Sequence, residues 1–192
     1  MRDWRFAVAL AALMTLAVAD AARAQGRYVR PYELNLHAGA FFPDQSGRDD
    51  TEVMFGGRVL VNLLSGLSFG GSFDWVPRDE IATGGEDIEV NTFLYSGGVE
   101  YHFASQSTTR LFIGGGIGAA TTKYSDTDAI DDETDLLIPL AVGVKWFDRP
   151  TDPSWGLRVE LRDNLIWVDQ GRGSDATNNF EISGGVSFLF GE

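Results

Sequence analysis

The chain has 192 residues, no cysteine, 23 glycines and a formal net charge of −13. That length holds one modest domain, and the absence of cysteine excludes a disulfide scaffold and a lipid-anchored cysteine. No zinc or haem constellation is present, no cofactor is expected, and the acidic balance argues against nucleic acid as a partner.

The first segment stands apart. Arg2 and Arg5 precede an apolar run over residues 7–19, and Ala22-Arg23-Ala24 follows as a small-x-small site. About 13 apolar residues fall short of the roughly 20 that cross a bilayer. This order therefore predicts a cleaved signal peptide over 1–24. Residues 25–31 read as a short lead-in, and 32–190 as a single barrel.

After Gln25 the helical spacing of apolar residues fits poorly, whereas alternation fits eight times. Strands are predicted over about 32–42, 52–63, 66–76, 90–103, 109–122, 134–147, 154–168 and 178–190. In the first, Tyr32, Leu34, Leu36, Ala38, Ala40 and Phe42 share one face, and Glu33, Asn35 and His37 the other. In the third, Leu67, Phe69, Phe73 and Trp75 oppose Ser68, Ser72 and Asp74. The fourth sets Phe93, Tyr95, Val99 and Tyr101 against Thr92, Ser96, Glu100 and His102. The seventh sets Trp155, Leu157, Val159 and Leu161 against Arg158, Glu160 and Arg162; the eighth sets Phe180, Ile182, Val186 and Phe188 against Glu181, Ser183 and Ser187. A period of two marks a strand between two unlike environments.

A soluble calyx shares that period, so other features must say which face is inside. The strands are longer than the usual five or six residues and suit the roughly 9–11 tilted residues a bilayer requires. Aromatic residues sit at both ends of the apolar face: Tyr32, Tyr101, Trp146, Trp155 and Phe188 at one rim, Phe42, Trp75, Phe93, Trp167 and Phe180 at the other. Such paired girdles mark two membrane interfaces. Short connections after strands two, four and six contrast with longer ones at about 43–51, 77–89, 123–133 and 169–177.

Charge points the same way. Of 28 acidic and 15 basic residues, 17 and 4 fall in and beside the long connections (43–52, 77–89, 123–135 and 169–179), which leaves 11 of each elsewhere. An enclosed lumen needs that balance, because a confined charge without a partner is costly. The predicted lumenal ion-pair set is Glu33, His37, Arg58, Asp74, Glu100, His102, Arg110, Lys145, Arg158, Glu160, Arg162 and Glu181. Antiparallel pairing should bring His37 near Arg58 and His102 near Arg110. Pro139 should mark a bulge or the outer rim of its strand, and Asp163, on the lipid-facing parity, either a bulge or a different register at that point.

With these patterns the chain resembles the OmpA/OmpX-like outer-membrane barrel families over roughly 30–190. Its last strand, Phe180-x-Ile182-x-Gly184-x-Val186-x-Phe188-x-Phe190, looks like their aromatic C-terminal signal, here followed by Gly191-Glu192. The resemblance implies an eight-stranded up-and-down antiparallel β-barrel in the bacterial outer membrane. It implies insertion by the outer-membrane insertion machinery; a monomer among outer-membrane lipids is expected and, with the sequence stopping after strand eight, no peptidoglycan-binding domain like that of full-length OmpA. Termini and short turns would face the periplasm and the acidic loops the outside.

Candidate chemistry is thin. Gly114-x-Gly116-x-x-Ala119 mimics a dinucleotide fingerprint, but an acidic loop follows it where a helix is required. His37 or His102 could serve as the base of a barrel-embedded lipid-modifying enzyme. Lipid A deacylases work that way, but pair His with Ser two residues apart, where this chain has Gly39 and Ala104. Asp126, Asp128, Asp131 and Asp132 form a weak Ca²⁺ candidate, with diffuse divalent binding the plainer reading. The leading expectation is a non-enzymatic barrel with a plugged polar lumen and an envelope or surface-contact role. A narrow channel is the first alternative, the lipid-modifying enzyme the second.

Overall fold

The computed structural model describes residues 30–43, 51–64, 66–81, 87–124, 132–169 and 174–191. Eight strands follow one another: β1 (Tyr32–Phe42), β2 (Glu52–Leu64), β3 (Leu67–Ile81), β4 (Asp87–His102), β5 (Thr109–Tyr124), β6 (Glu133–Phe147), β7 (Trp155–Asp169) and β8 (Ser174–Phe190). Each pairs antiparallel with its sequence neighbours, and β1 pairs with β8, so the sheet closes into a barrel. Closure leaves no sheet edge within the wall, which is why strands can cross a medium that offers the backbone no water. No helix among the described residues is long and apolar enough to cross a membrane.

The pairing also sets the barrel's shape. From Phe42 it runs through Phe180, Asp163, Leu140, Gly115, Val99, Phe69 and Val61 and returns to β1 at Tyr32. From Phe42 to Tyr32 is a stagger of ten residues, which at ordinary strand spacings tilts the strands by roughly 40°. An eight-stranded barrel of this kind has an interior that its own side chains fill.

Alternation sorts the two faces as the sequence implies. Leu36, Val59, Phe73, Leu111, Val142, Leu161 and Ile182 stand exposed around the outside, and Asn35, Arg58, Asp74, Glu100, Lys145, Glu160 and Ser183 are buried within. The start of β1 and the end of β8 lie at one rim, where Tyr32 pairs with Phe190. That terminal rim also carries the tight turns. Gly66 there has φ +107°, and a Cβ would sit 2.9 Å from the His102 carbonyl oxygen. In the 148–154 turn Asp148 accepts hydrogen bonds from the Ser154 amide at 3.0 Å and the Ser154 hydroxyl at 2.9 Å. Desolvation pushes the Asp148 carboxyl up, but these bonds outweigh it and hold the group below the usual aspartate range. The turn's contribution is therefore present at neutral pH and lost as pH falls through that range.

Three expectations need correction. Three of the four far-rim connections are shorter than predicted, because β3 continues to Ile81 and pairs with β4 as far as Asp87, β5 reaches Tyr124 and β8 begins at Ser174, while the connection at 43–51 is as predicted. Past Pro77 the sequence no longer alternates cleanly, while the β3–β4 pairing continues. Pro139 marks neither a bulge nor a rim. It lies mid-strand on the lumenal side, and the β5–β6 register is the same on both sides of a short gap opposite Gly116 and Ile117. Asp163 also sits in unbroken register, opposite Leu140 and Phe180, so it is a lipid-facing carboxylate rather than a bulge. Among the described residues the one register shift lies elsewhere, between Asn62 and Leu64 of β2.

Candidate functional site: the barrel lumen

The polar face of the strands converges on one connected network. Glu160 of β7 is its hub. Arg58 reaches it with both amino groups at 2.9 Å. Arg158 donates through Nε at 2.9 Å, and Arg162 through Nε at 2.8 Å. Glu100 of β4 is a second hub, accepting from Arg58 at 2.9 Å and from Arg158 at 2.7 and 3.0 Å. Lys145 lies 3.2 Å from Glu100 and donates to both oxygens of Glu33, at 2.9 and 3.0 Å. Arg162 extends the network to Asp74 at 2.7 Å and Glu181 at 3.2 Å. All these side chains are buried, so each ion has lost most of its water and depends on its partners.

Each histidine lies against a carboxylate. His37 is opposite Gly56, two residues from Arg58, and its Nε2 lies 2.7 Å from Asp74 while Nδ1 lies 3.1 Å from Asn35 Oδ1. His102 pairs with Phe112, packs edge-on against that ring at 6.1 Å, and lies 3.3 Å from Glu100. Arg110 serves the terminal rim: it donates to the Ser107 and Pro150 carbonyls at 2.9 and 3.0 Å and covers the Phe147 ring at 4.4 Å.

Glycine makes room for these contacts. A Cβ on Gly56 would lie 2.0 Å from Asp74 Oδ1 and 2.5 Å from His37 Nε2. Gly97 faces lipid, where a Cβ would meet nothing nearer than the Gly70 carbonyl oxygen at 3.8 Å. Gly56→Ala should therefore lose about 1–3 kcal/mol by overpacking, and Gly97→Ala should gain up to about 1 kcal/mol from a stiffer strand. Equal effects in urea unfolding titrations would contradict this placement.

Sequence reasoning missed a layer. Toward the far rim the lumen is apolar: Phe41, Met54, Val76, Leu94, Ala120, Leu137 and Ile166 form one buried cluster above the ions. The signal was present as short runs without alternation, such as Val53-Met54-Phe55, Phe93-Leu94-Tyr95 and Leu136-Leu137-Ile138. Where both faces are apolar, one packs against lipid and the other closes the lumen. Below the network, Phe112 lies under Arg158 at 4.0 Å and near Lys145 at 5.5 Å. A cavity of about 50 Å³ remains beside Arg58 and Arg162, bounded by Gly70, Gly98, Gly116 and Pro139. That is room for a few waters.

The girdle residues lie on the outer face. Tyr32, Trp75, Trp146, Trp155, Phe180 and Phe188 are exposed, and Phe93, Tyr101 and Trp167 half-buried. Trp75 Nε1 donates to Asn91 at 2.8 Å, the polar handle an interfacial indole needs. Of the weak cation candidates, Asp126, Asp128 and Asp131 lie outside the described residues, as does the predicted signal peptide. Asp132 is exposed, 3.8 Å from Lys123. No group of three or more potential ligands that could hold a metal ion occurs among the described residues.

The model of the outer membrane protein beta-barrel domain family matches residues 6–188. Neisserial surface protein A (NspA) superposes with a TM-score of 0.69 at 14% identity, over 83% of this chain and 97% of that one. Ail of Yersinia pestis gives 0.58 at 12% identity, over 83% and 97%. OprG of Pseudomonas aeruginosa gives 0.52 at 12% identity, over 88% and 100%. No curated protein matches the sequence. At such identities the structural likeness is one of fold, and the family match carries the assignment to the bacterial outer membrane. The chain belongs to the outer membrane protein beta-barrel domain family.

Proposed function

We propose that this protein is a non-enzymatic outer-membrane barrel whose lumen is closed and whose role lies in surface contact or envelope integrity. The observation that carries this reading is the double closure of the lumen, by a buried ion network and by the apolar layer above it. A substrate could not reach His37 or His102, both buried inside the wall, so a lipid-modifying reaction finds no accessible base. What remains available for recognition is the far rim, read here as extracellular. The barrel stands as a monomer among outer-membrane lipids, delivered by insertion machinery that reads the aromatic β8.

The charge of the far rim narrows the partner. The Ail structure was solved with the heparin analogue sucrose octasulfate, a polyanion. Here the far-rim segments hold 17 acidic and 4 basic residues, which favours cationic partners or bridging divalent ions and disfavours polyanions. Cells displaying the protein should adhere to amine-coated surfaces better than cells displaying a variant with far-rim Asp and Glu changed to Asn and Gln. Equal adhesion would remove the surface-contact role, and lipid A altered by the wild type but not by His37→Ala would restore the enzyme reading.

A further inference from the structure

The end of the charge network nearest the apolar layer leaves two acceptors without a donor. Glu181 lies on the lumenal face of β8, with Phe41 of β1 opposite it on one side and Arg162 of β7 on the other. Its side chain is wholly buried. One carboxylate oxygen, Oε2, faces Arg162 at 3.2 Å and accepts from Asn164 Nδ2 at 3.4 Å. The other, Oε1, is buried with no hydrogen-bond partner, and so is Asn164 Oδ1.

The cation that Glu181 reaches is already divided. Arg162 lies 2.7 Å from Asp74 and 2.7 Å from Glu160. From β1, His37 is engaged with Asp74; from β2, Arg58 is engaged with Glu160 and Glu100, and Glu52 stands opposite Phe41 at the level of Glu181. The lumenal positions of β4 from Val90 to Gly98, of β5 from Phe112 to Thr122 and of β6 from Leu137 to Gly143 carry no ionisable side chain. The cluster of Phe41, Met54, Val76, Leu94, Ala120, Leu137 and Ile166 beyond Glu181 supplies no donor. An ionised carboxylate with a share in one guanidinium, set against an apolar wall, is unfavourable. One added positive charge relieves it, since a proton on Oε1 turns that orphan acceptor into a donor and a small cation would coordinate both orphan oxygens.

We propose that Glu181 and Asn164 form a buried site for one exchangeable monovalent positive charge, taken from solvent when the barrel closes and returned when it opens. With a proton as occupant, the O–H bond forms on Glu181 Oε1 at the expense of one in hydronium or water, and the reverse transfer accompanies unfolding.

Urea unfolding in phospholipid vesicles, followed by tryptophan fluorescence, tests this in wild type and Glu181→Gln, whose amide supplies the donor without the proton. A folded state that holds one more proton than the unfolded chain loses stability as pH rises above the range where exposed glutamate ionises. The wild-type unfolding constant should rise about tenfold per pH unit relative to Glu181→Gln. At fixed pH and ionic strength, exchanging Na⁺ for choline separates the occupants. A midpoint that moves with Na⁺ in wild type alone identifies a metal ion, and one that moves only with pH identifies a proton. Identical wild-type and variant profiles against both variables would overturn the site, leaving only water there. Persistence of the pH response in Glu181→Gln with its loss in His37→Gln would also overturn it. If Glu181→Gln does not fold, infrared spectra of wild type labelled with ¹³C at glutamate carboxyls decide for the proton. The protonated-carboxyl band must be present and shift in D₂O; without it, and with no Na⁺ response, the proposal fails.

Discussion

Replacing Glu160 with alanine should lower the unfolding free energy by about 3–5 kcal/mol. Glu160 is only 1% exposed and takes hydrogen bonds from Arg58, Arg158 and Arg162. Its removal leaves three buried guanidiniums to share Asp74, Glu100 and Glu181. The loss is larger than that of a surface ion pair, worth about 0–1 kcal/mol, because the orphaned charges cannot return to water without opening the wall. Glu160→Gln, which keeps the shape and one acceptor, should lose less. Urea titration of protein folded into vesicles measures both, and a loss below about 1 kcal/mol for the alanine variant would mean that the network contributes little to stability.

The second large effect is on the outer face. Val142 sits mid-strand in β6 between Ile113 and Leu161 and is 52% exposed. Val142→Arg should cost about 2–4 kcal/mol in a bilayer, because the guanidinium must be carried into hydrocarbon. The same logic runs in reverse at Asp163, which faces lipid between Leu140 and Phe180 with Oδ1 unpartnered. Asp163→Leu should gain roughly 1–2 kcal/mol, less than the arginine penalty because acidic side chains on the lipid face cost less. A stabilised Val142→Arg would place that face away from lipid and invert the assignment of inside and outside.

The fold was legible because a barrel writes its two environments into the chain at period two. Leu34, Leu36 and Ala38 against Glu33, Asn35 and His37 declare β1 without reference to any other strand. Legibility failed where the environments stopped differing. Past Pro77 the run Arg78-Asp79-Glu80 and the glycines that follow carry no clear alternation, so the β3–β4 hairpin there looks like loop. In the apolar layer both faces are dry, so Met54 and Leu137 looked like lapses in pattern rather than a second closure. Pro139 and Asp163 were read by general rules about strands. The first is tolerated because the β5–β6 ladder simply skips its level, and the second because register in a closed barrel cannot slip locally without moving every neighbouring strand. In the lumen, charge balance could be counted from sequence, but the partners could not. Strand pairing places His37 opposite Gly56 and Gly56 opposite Asp74, and it is the missing Cβ of Gly56 that lets His37 reach past its paired strand to Asp74 of β3.

The central claim is that the barrel spans the outer membrane while its lumen stays shut. Purified wild-type protein reconstituted into planar bilayers, with insertion verified by protease protection and by a heat-dependent gel shift, tests it most directly. The closed lumen predicts no steady conductance above the bare membrane at neutral pH. Stable, reproducible single-channel openings from the wild-type protein would contradict it.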